Sequence, residues 1–323
     1  MVQSRKLIKY CRNRYRQGMR MRSPEVLSQH YIGDHIMSEM QPFFEEVQSH
    51  YDLSDEFFAL FLDPTRTYSC ALFDDSSATL EEAQRAKMDL SLSKCELAPG
   101  MNLLDIGCGW GSTALRAAQQ YGANVVGLTL SENQYRHASQ RARESKYSDS
   151  VHFCLQGWEE YDEPADRIIS IGAFEHFRNT RHEAFFRRCR EILPANGIMM
   201  LHTIVTPSLK DLREQGIEFT QEDVRFAKFI RDEIFPGGQL CAPERIKSLA
   251  QRNGFKVYDV QSLRLHYAQT LDCWAESLEG AKEQAIGLTS QTVYDRYQKY
   301  LTGCAEQFRK GTIDVMQFCM RCD

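Results

Sequence analysis

The stretch Leu103-Leu-Asp-Ile-Gly107-Cys-Gly109-Trp-Gly111 runs from a short apolar segment into three glycines spaced two apart. Asn102–Ile106, bounded by Pro99-Gly100 on one side and by the glycines on the other, reads as a buried strand. Ser112–Tyr121 reads as the helix that follows. Glycines at a strand-to-helix turn allow a tight backbone and bring a ligand close to the helix N-terminus. The spacing is G-x-G-x-G rather than the G-x-G-x-x-G of dinucleotide turns, and Asp105 stands two residues before the first glycine.

Strand and helix alternate onward from this turn. Asn124–Leu128 is a second strand, Ser131 caps a helix running to about Glu144, and Val151–Leu155 and Arg167–Ile171 are further strands. Arg181–Leu193 reads as a helix and Gly197–Val205 as a fifth strand. This rhythm predicts an α/β fold, a parallel sheet covered by helices on both faces. Residues 206–256 interrupt it with helical material, in which Phe226, Phe229, Ile230, Ile234 and Phe235 form one apolar stripe. Val257–Leu263 resumes the sheet. Tyr294, Tyr297, Leu301, Cys304 and Phe308 mark a long helix, and a strand near Asp314–Met320 completes the fold. Upstream, apolar residues recur at helical spacing from Phe43 to Leu62, broken near Asp52–Asp55, and Thr79 with Glu82 predicts a capping box for a helix over Leu80–Leu92. The expected organisation is a basic extension over residues 1–39 and one domain over 40–323. Within the latter, 40–100 is a helical cap, 101–205 the cofactor core, 206–256 a helical insertion and 257–323 the completion of the sheet.

Three loops fall after successive strands, at the carboxyl edge where doubly wound sheets bind ligands. They are the glycine turn, Thr129-Leu130-Ser131-Glu132-Asn133-Gln134, and Gln156-Gly-Trp158-Glu159. A carboxylate beside the turn suits an amino-acid cofactor or a sulfonium, while the acid that a dinucleotide's ribose requires is missing after the second strand. Trp158 can stack on a purine and Glu159 can accept from an exocyclic amine, unless both are merely surface residues of a loop. The three loops together favour S-adenosylmethionine over NAD.

The chain has 323 residues, 42% of them hydrophobic and 26% charged, which excludes wholesale disorder. No apolar run reaches the roughly 20 residues of a membrane span, and the start lacks the apolar core of a secretory signal. Eight Lys or Arg and three acids occupy residues 1–39, leaving 31 basic against 41 acidic residues and a net charge of −10 over the remainder. An acidic body argues against nucleic acid as a partner. The extension reads as a flexible tail, or alternatively as a basic arm for peripheral contact with anionic lipid or for RNA; Gly18, Pro24 and Gly33 break any helix there. Eleven cysteines, an odd number with no sign of export, indicate reduced thiols in a cytoplasm. Cys319-Met-Arg-Cys322 has no second pair with which to complete a zinc site, so no metal is expected.

Several further motifs accompany the glycine turn: Gln48-Ser-His-Tyr51-Asp-Leu-Ser-Asp55, Thr67-Tyr-Ser-Cys70, Ile171-Gly-Ala-Phe-Glu175-His-Phe177, Leu201-His-Thr203, Glu233-Ile-Phe-Pro-Gly-Gly238 and Tyr300-Leu-Thr-Gly-Cys304. Together they resemble the mycolic acid cyclopropane synthases, in the cyclopropane-fatty-acid synthase group of S-adenosylmethionine-dependent methyltransferases. The resemblance covers about residues 40–323. It implies a seven-stranded, doubly wound, Rossmann-like methyltransferase sheet with a helical cap forming an acyl tunnel. It implies also a cis double bond in a very long acyl chain as substrate, borne on an acyl carrier protein. Cofactor positions carry over to Tyr68 and Ser69, to Leu103, Leu104, Asp105, Ile106, Gly107, Cys108, Gly109, Trp110 and Gly111, to Thr129, Leu130, Ser131, Glu132, Asn133 and Gln134, and to Trp158 and Glu159. A bicarbonate ion is implied beside Cys70, Glu175, His202 and Tyr267, and an older assignment makes the position of Cys304 catalytic.

An isolated alkene is a weak nucleophile, so alignment and exclusion of water are the main tasks of such a site. Methyl transfer leaves a carbocation that aromatic faces stabilise; Tyr51, Phe174 and Phe235 are candidates, with plain core packing as the alternative. Glu175 is expected to accept from the bicarbonate hydroxyl, His202 and Tyr267 to donate to its oxygens, and the Cys70 backbone N–H to add another bond. Without the resemblance these side chains also read as a helix-terminal charge, a satisfied core histidine and a capped aromatic. Cys304 lies on a buried helical stripe, where a thiol is a poor nucleophile. Two rival readings share the cofactor: a methyltransferase giving a methyl-branched or hydroxylated mycolic acid, and a non-catalytic S-adenosylmethionine-binding protein.

Overall fold

The structure, a computed structural model, describes residues 42, 53–74 and 78–323. Tyr51, the basic extension and half of the 43–62 helical stretch lie outside them. In chain order the elements are α1 (Asp55–Ala59), α2 (Leu80–Ser93), β1 (Asn102–Ile106), α3 (Ser112–Tyr121), β2 (Asn124–Thr129), α4 (Glu132–Glu144), β3 (Val151–Leu155) and β4 (Arg167–Ile171). A 3-10 turn, Phe174–His176, leads into α5 (Arg178–Ile192) and β5 (Ile198–Val205). Next come α6 (Leu209–Glu214), α7 (Gln221–Phe229) with a π-helical turn at Ile230–Ile234, α8 (Pro243–Arg252) and β6 (Phe255–Ser262). Then follow α9 (Arg264–Gly280), α10 (Lys282–Leu288), α11 (Gln291–Lys310) and β7 (Asp314–Cys322).

The seven strands form one sheet in the order β3-β2-β1-β4-β5-β7-β6. Alternate residues of β1 to β5 feed separate cores, as the two-residue period of a strand requires. Leu103 packs with α2, α3 and α4 on one face, while Leu104 and Ile106 pack with α5 and α8 on the other. Thr79 and Glu82 form the expected capping box on α2.

The strands of the alternating βαβα stretch are parallel as expected, and the strand that completes the sheet is not. β1 to β5 are parallel, but β7 is antiparallel to both β5 and β6. The cause is the point of entry: Asp314 pairs with Val205, so β7 begins at the edge where β5 ends and has to run back. The 206–256 stretch also divides. Its α6 and α7 belong with the helices outside the sheet, whereas Ile246, Leu249 and Ala250 of α8 are buried in the same core as α5. α8 is thus the crossover helix between β5 and β6. Leu263 does not extend β6 but caps α9, and α5 starts at Arg178 rather than Arg181.

A third core lies beyond the carboxyl edge of the sheet. There Phe57, Phe58 and Phe61 of the α1 region pack with Trp274 of α9 and with Tyr297 and Tyr300 of α11. Their rings meet mostly edge to face, Phe57 and Tyr297 at 4.9 Å between centroids. This aromatic layer covers the place where the strand ends open.

Candidate functional site

Two adjoining cavities occupy the space between the strand ends and the aromatic layer. The first, of about 130 Å³, is lined by the glycine turn from Asp105 to Trp110, by Thr129, Leu130 and Gln134, by Gln156 to Glu159, and by Tyr68, Ser69 and Lys87. The three loops singled out in the sequence therefore converge. Positive φ at Gly107 (81°) and Gly111 (86°) makes the turn. A Cβ on Gly107 would collide with Ala173 Cβ, and one on Gly111 would lie 2.6 Å from Phe153 Cζ.

Not every residue of those loops faces the cavity. Leu103 and Leu104 are core residues of β1, and Gly111 is the helix cap of α3. Ser131 caps α4 through the Gln134 N–H, Glu132 is exposed and pairs with Arg136, and Asn133 is not among the lining residues. Thr129 donates from Oγ1 to Gln134 Oε1 at 2.9 Å and fixes that amide against the cavity. Trp110 donates from Nε1 to Asp55 Oδ1 at 3.0 Å, tying α1 to the turn. Trp158 is buried with its indole N–H unpartnered, and the Arg181 guanidinium stands 5.5 Å from its ring. Glu159 Oε1 lies 2.7 Å from Arg181 Nη2 in a buried ion pair, while its Oε2 has no partner. Burial raises the Glu159 carboxyl, and Arg181 works against that shift.

Lys87 is a site residue that the sequence reasoning missed. It is fully buried, lines the first cavity and donates from Nζ to Ser69 Oγ at 2.8 Å. Burial lowers the ammonium to about 8 and raises the Asp105 carboxyl to about 7, with Lys87 the one charge that opposes the latter. A signal was present: Ala83, Gln84, Lys87, Met88, Ser91 and Leu92 form the buried stripe of α2, so the lysine falls in a core register. Gln84 on the same stripe donates to the Ser69 carbonyl at 2.8 Å.

The second cavity, of about 410 Å³, shares Tyr68, Ser69, Gly172 and His176 with the first. Its walls include Phe226, Phe235, Tyr267, Leu271, Tyr300, Cys304 and Phe308, and its polar groups include Glu175 and His202. Glu175 Oε1 accepts from the Ile204 N–H at 2.6 Å, and its buried Oε2 has no partner. Loss of hydration raises this carboxyl to about 7, and the Ile204 bond only partly offsets the shift. His202 is buried, and its imidazole is lowered to about 3 by burial and by the charges of Lys87 and Lys94.

The tautomer of His202 follows from its neighbours. Ser91 Oγ donates to the Lys87 carbonyl at 2.8 Å, so it accepts from Gln317 Nε2 at 2.9 Å. That fixes the Gln317 amide with its NH2 towards His202 Nδ1, 3.3 Å away. Nδ1 then accepts, the ring proton rests on Nε2, and Nε2 has no partner within the protein. Tyr267 packs on Phe308 at 4.6 Å and is kept protonated by burial.

Two expected residues stand apart from this cavity. The Cys70 thiol turns to the carbonyls of Ala71 (3.1 Å) and Leu263 (3.7 Å) and does not line either cavity. Phe174 stacks on His182 at 4.0 Å inside the α5 core, so it has the packing role that the sequence also allowed. Phe235 does line the cavity, edge to face with Tyr300 at 5.5 Å. Cys304 lines it with its thiol raised by burial. Tyr300, which receives a hydrogen bond from the Tyr68 hydroxyl at 3.1 Å, and His176, on the boundary of both cavities, were not read as site residues.

Residues 38–318 match the family model described as mycolic acid cyclopropane synthetase. The chain belongs to that family. It is 57% identical to cyclopropane mycolic acid synthase 3 of Mycobacterium tuberculosis over 282 residues, 87% of this chain and 98% of that protein. Among solved structures, the cyclopropane synthase MmaA2 from Mycobacterium tuberculosis aligns with a TM-score of 0.86 at 54% identity, over 87% of this chain and 98% of the other. Mycolic acid cyclopropane synthase CmaA1, solved complexed with SAH and CTAB, aligns at 0.85 and 55% identity, over 87% and 99%. The chain is accordingly an S-adenosylmethionine-dependent methyltransferase of the cyclopropane-synthase type, and its mixed seven-stranded sheet is the methyltransferase sheet that the motifs implied.

Proposed function

We propose that this protein adds a methylene from S-adenosylmethionine across a double bond of a very long, mycolic-type acyl chain, closing a cyclopropane ring. The observation that carries the reading is the pairing of cavities: one at the strand ends into which buried polar groups project, and a larger, aromatic-walled one sharing Tyr68, Ser69, Gly172 and His176 with it. The first fits a zwitterionic nucleoside. It offers a glycine cradle that a Cβ would fill, and buried polar atoms without protein partners on Asp105, Gln156, Trp158 and Glu159. Tyr68, Ser69, Asp105, Thr129, Gln134, Trp158 and Glu159 would hold it. The bound sulfonium supplies an electrophilic methyl group.

The protein's own part is positioning, dryness and proton removal. Phe226, Phe235, Tyr267 and Tyr300 wall the second cavity and exclude water, and Phe235, Tyr267 and Tyr300 present ring faces to a cation developing on the chain. Loss of a proton from the new methyl group then lets that carbon close the ring. Glu175 Oε2 and the His202 Nε2–H are unpartnered groups in this same cavity, one an acceptor and one a donor, and the Tyr267 hydroxyl joins them. That donor set fits a bicarbonate, which would supply the base. Cys70 would contribute through its backbone alone, and Cys304 serves as wall, since a buried, protonated thiol is a weak nucleophile. A thioester on an acyl carrier protein in the cytoplasm fits a protein whose described residues include no helix long and apolar enough to cross a membrane.

The test is mass spectrometry of the lipid formed from a cis-monounsaturated very-long-chain acyl thioester and labelled S-adenosylmethionine. A product heavier by one CH2 that has lost its double bond, and so resists ozonolysis, is expected. One heavier by a further water, or a methyl-branched alkene, would replace cyclopropanation by the rival reading; cofactor binding without any lipid product would overturn catalysis.

A further inference from the structure

α7 and the π-helical turn after it lie along α11 through a ladder of contacts that repeats at helical spacing. Asp223 accepts from Lys310 Nζ and from Gln307 Nε2, the latter at 2.9 Å. Phe226 meets Gly303, Lys299 Nζ stands 4.2 Å from the centre of the Phe229 ring, and Arg296 Nε lies 3.2 Å from Glu233 Oε2. Both ends of the segment are thereby tied to α11 by charged groups, and between them a single aromatic ring is seated on a glycine.

Gly303 sits in the middle of a 20-residue helix, a position where glycine weakens the helix relative to alanine. The contact with Phe226 explains its presence. A Cβ at 303 would fall 2.5 Å from Phe226 Cζ and closer still to Cε2, far inside contact distance. Phe226 also lines the second cavity. With α7 tied at both ends, relief of such a collision comes from the ring rather than from the helix, and the open space beside the ring is the cavity.

We infer that Gly303 and Phe226 together set the depth of alkyl chain that the second cavity accepts, Gly303 as the recess that holds the ring out of the chain's path. The inference rests on the acyl reading of that cavity and adds the residues that fix its length specificity. They are positioning residues, remote from the reacting atoms.

The experiment measures binding of alkyltrimethylammonium probes, from decyl to hexadecyl and below their micellar concentrations, to the full chain by calorimetry. Each methylene that is buried adds about fourfold to affinity. For the unmodified protein the affinity should rise with tail length. In Gly303→Ala the rise should stop at a shorter tail, so that hexadecyl binding falls by about tenfold or more while decyl binding changes by less than about twofold. Phe226→Ala should bind hexadecyl at least as tightly as the unmodified protein, and Gly303→Ala with Phe226→Ala should restore hexadecyl binding, a rescue that general damage to α11 would not allow. Equal losses at all lengths in Gly303→Ala, or no rescue in the double variant, would overturn the inference and leave the acyl reading standing. Failure of the unmodified protein to bind any tail would overturn the acyl reading, and this inference with it.

Discussion

At the scale of single residues, the function proposed for the second cavity turns on Glu175. One oxygen is committed to the Ile204 N–H and the other has no partner, in surroundings that hold the carboxyl near 7. Glu175→Gln keeps the size of the side chain and its acceptor for Ile204 but removes the negative charge. We expect product formation to fall by at least about a hundredfold, the scale of a lost acid–base partner, with S-adenosylhomocysteine affinity changed by less than about twofold. A second readout follows from linkage. Because the folded carboxyl lies above its unfolded value, the stability it contributes is present below about pH 4.5 and lost as pH rises through about 7. Relative to the unmodified protein, ligand-free Glu175→Gln should therefore gain stability between those values, by on the order of 3 kcal/mol, and gain no more above them. Urea midpoints at a series of pH values check this. A stability difference independent of pH would show that Glu175 does not titrate there.

At the scale of elements, α2 and the glycine turn act as one unit. Lys87 reaches from α2 to Ser69 Oγ, and its charge is what keeps Asp105 from rising further. Lys87→Met, which removes charge but keeps length, should leave the chain folded and weaken S-adenosylhomocysteine binding by about tenfold, the cost of one charge-assisted contact. Calorimetric binding beside an unchanged far-ultraviolet dichroism spectrum would support this, and unaltered affinity would count against it. Gly111 is different in kind. It combines a φ of 86° with Phe153 Cζ at 2.6 Å and Ala138 Cβ at 2.9 Å from any added Cβ. Gly111→Ala should destabilise the whole domain by roughly 3 kcal/mol or more, since strain and overpacking add. A thermal midpoint within a degree of the unmodified protein would refute that account.

At the scale of the whole molecule, the two cavities meet through Tyr68, Ser69, Gly172 and His176. A ligand that orders these shared walls lowers the cost of binding in the neighbouring cavity, and the effect must be reciprocal. We expect S-adenosylhomocysteine to strengthen binding of a hexadecyl probe about threefold or more, and the probe to strengthen S-adenosylhomocysteine by the same factor. Titrations in both orders measure this, and independent binding would show that the shared walls are already rigid.

The sequence by itself determined what depends on near neighbours along the chain. The glycine spacing, the period of each strand, the capping box of Thr79 and Glu82, and the three loops after successive strands are local patterns, and the motifs identified the family and pointed to Glu175, His202 and Tyr267, which line one cavity. Only the tertiary structure decided what depends on distant segments meeting. The reversal of β7 follows from where α11 leaves the chain, and the assignment of α8 to the sheet follows from the core that it shares with α5. The role of Lys87 depends on Ser69, 18 residues away, and the proton on His202 Nε2 depends on Gln317, 115 residues away. Phe174 carries a ring that suits the chemistry, but packing turns it onto His182. Residue type fixes which interactions a side chain is capable of; its direction is set by the close packing of segments that the chain order leaves far apart.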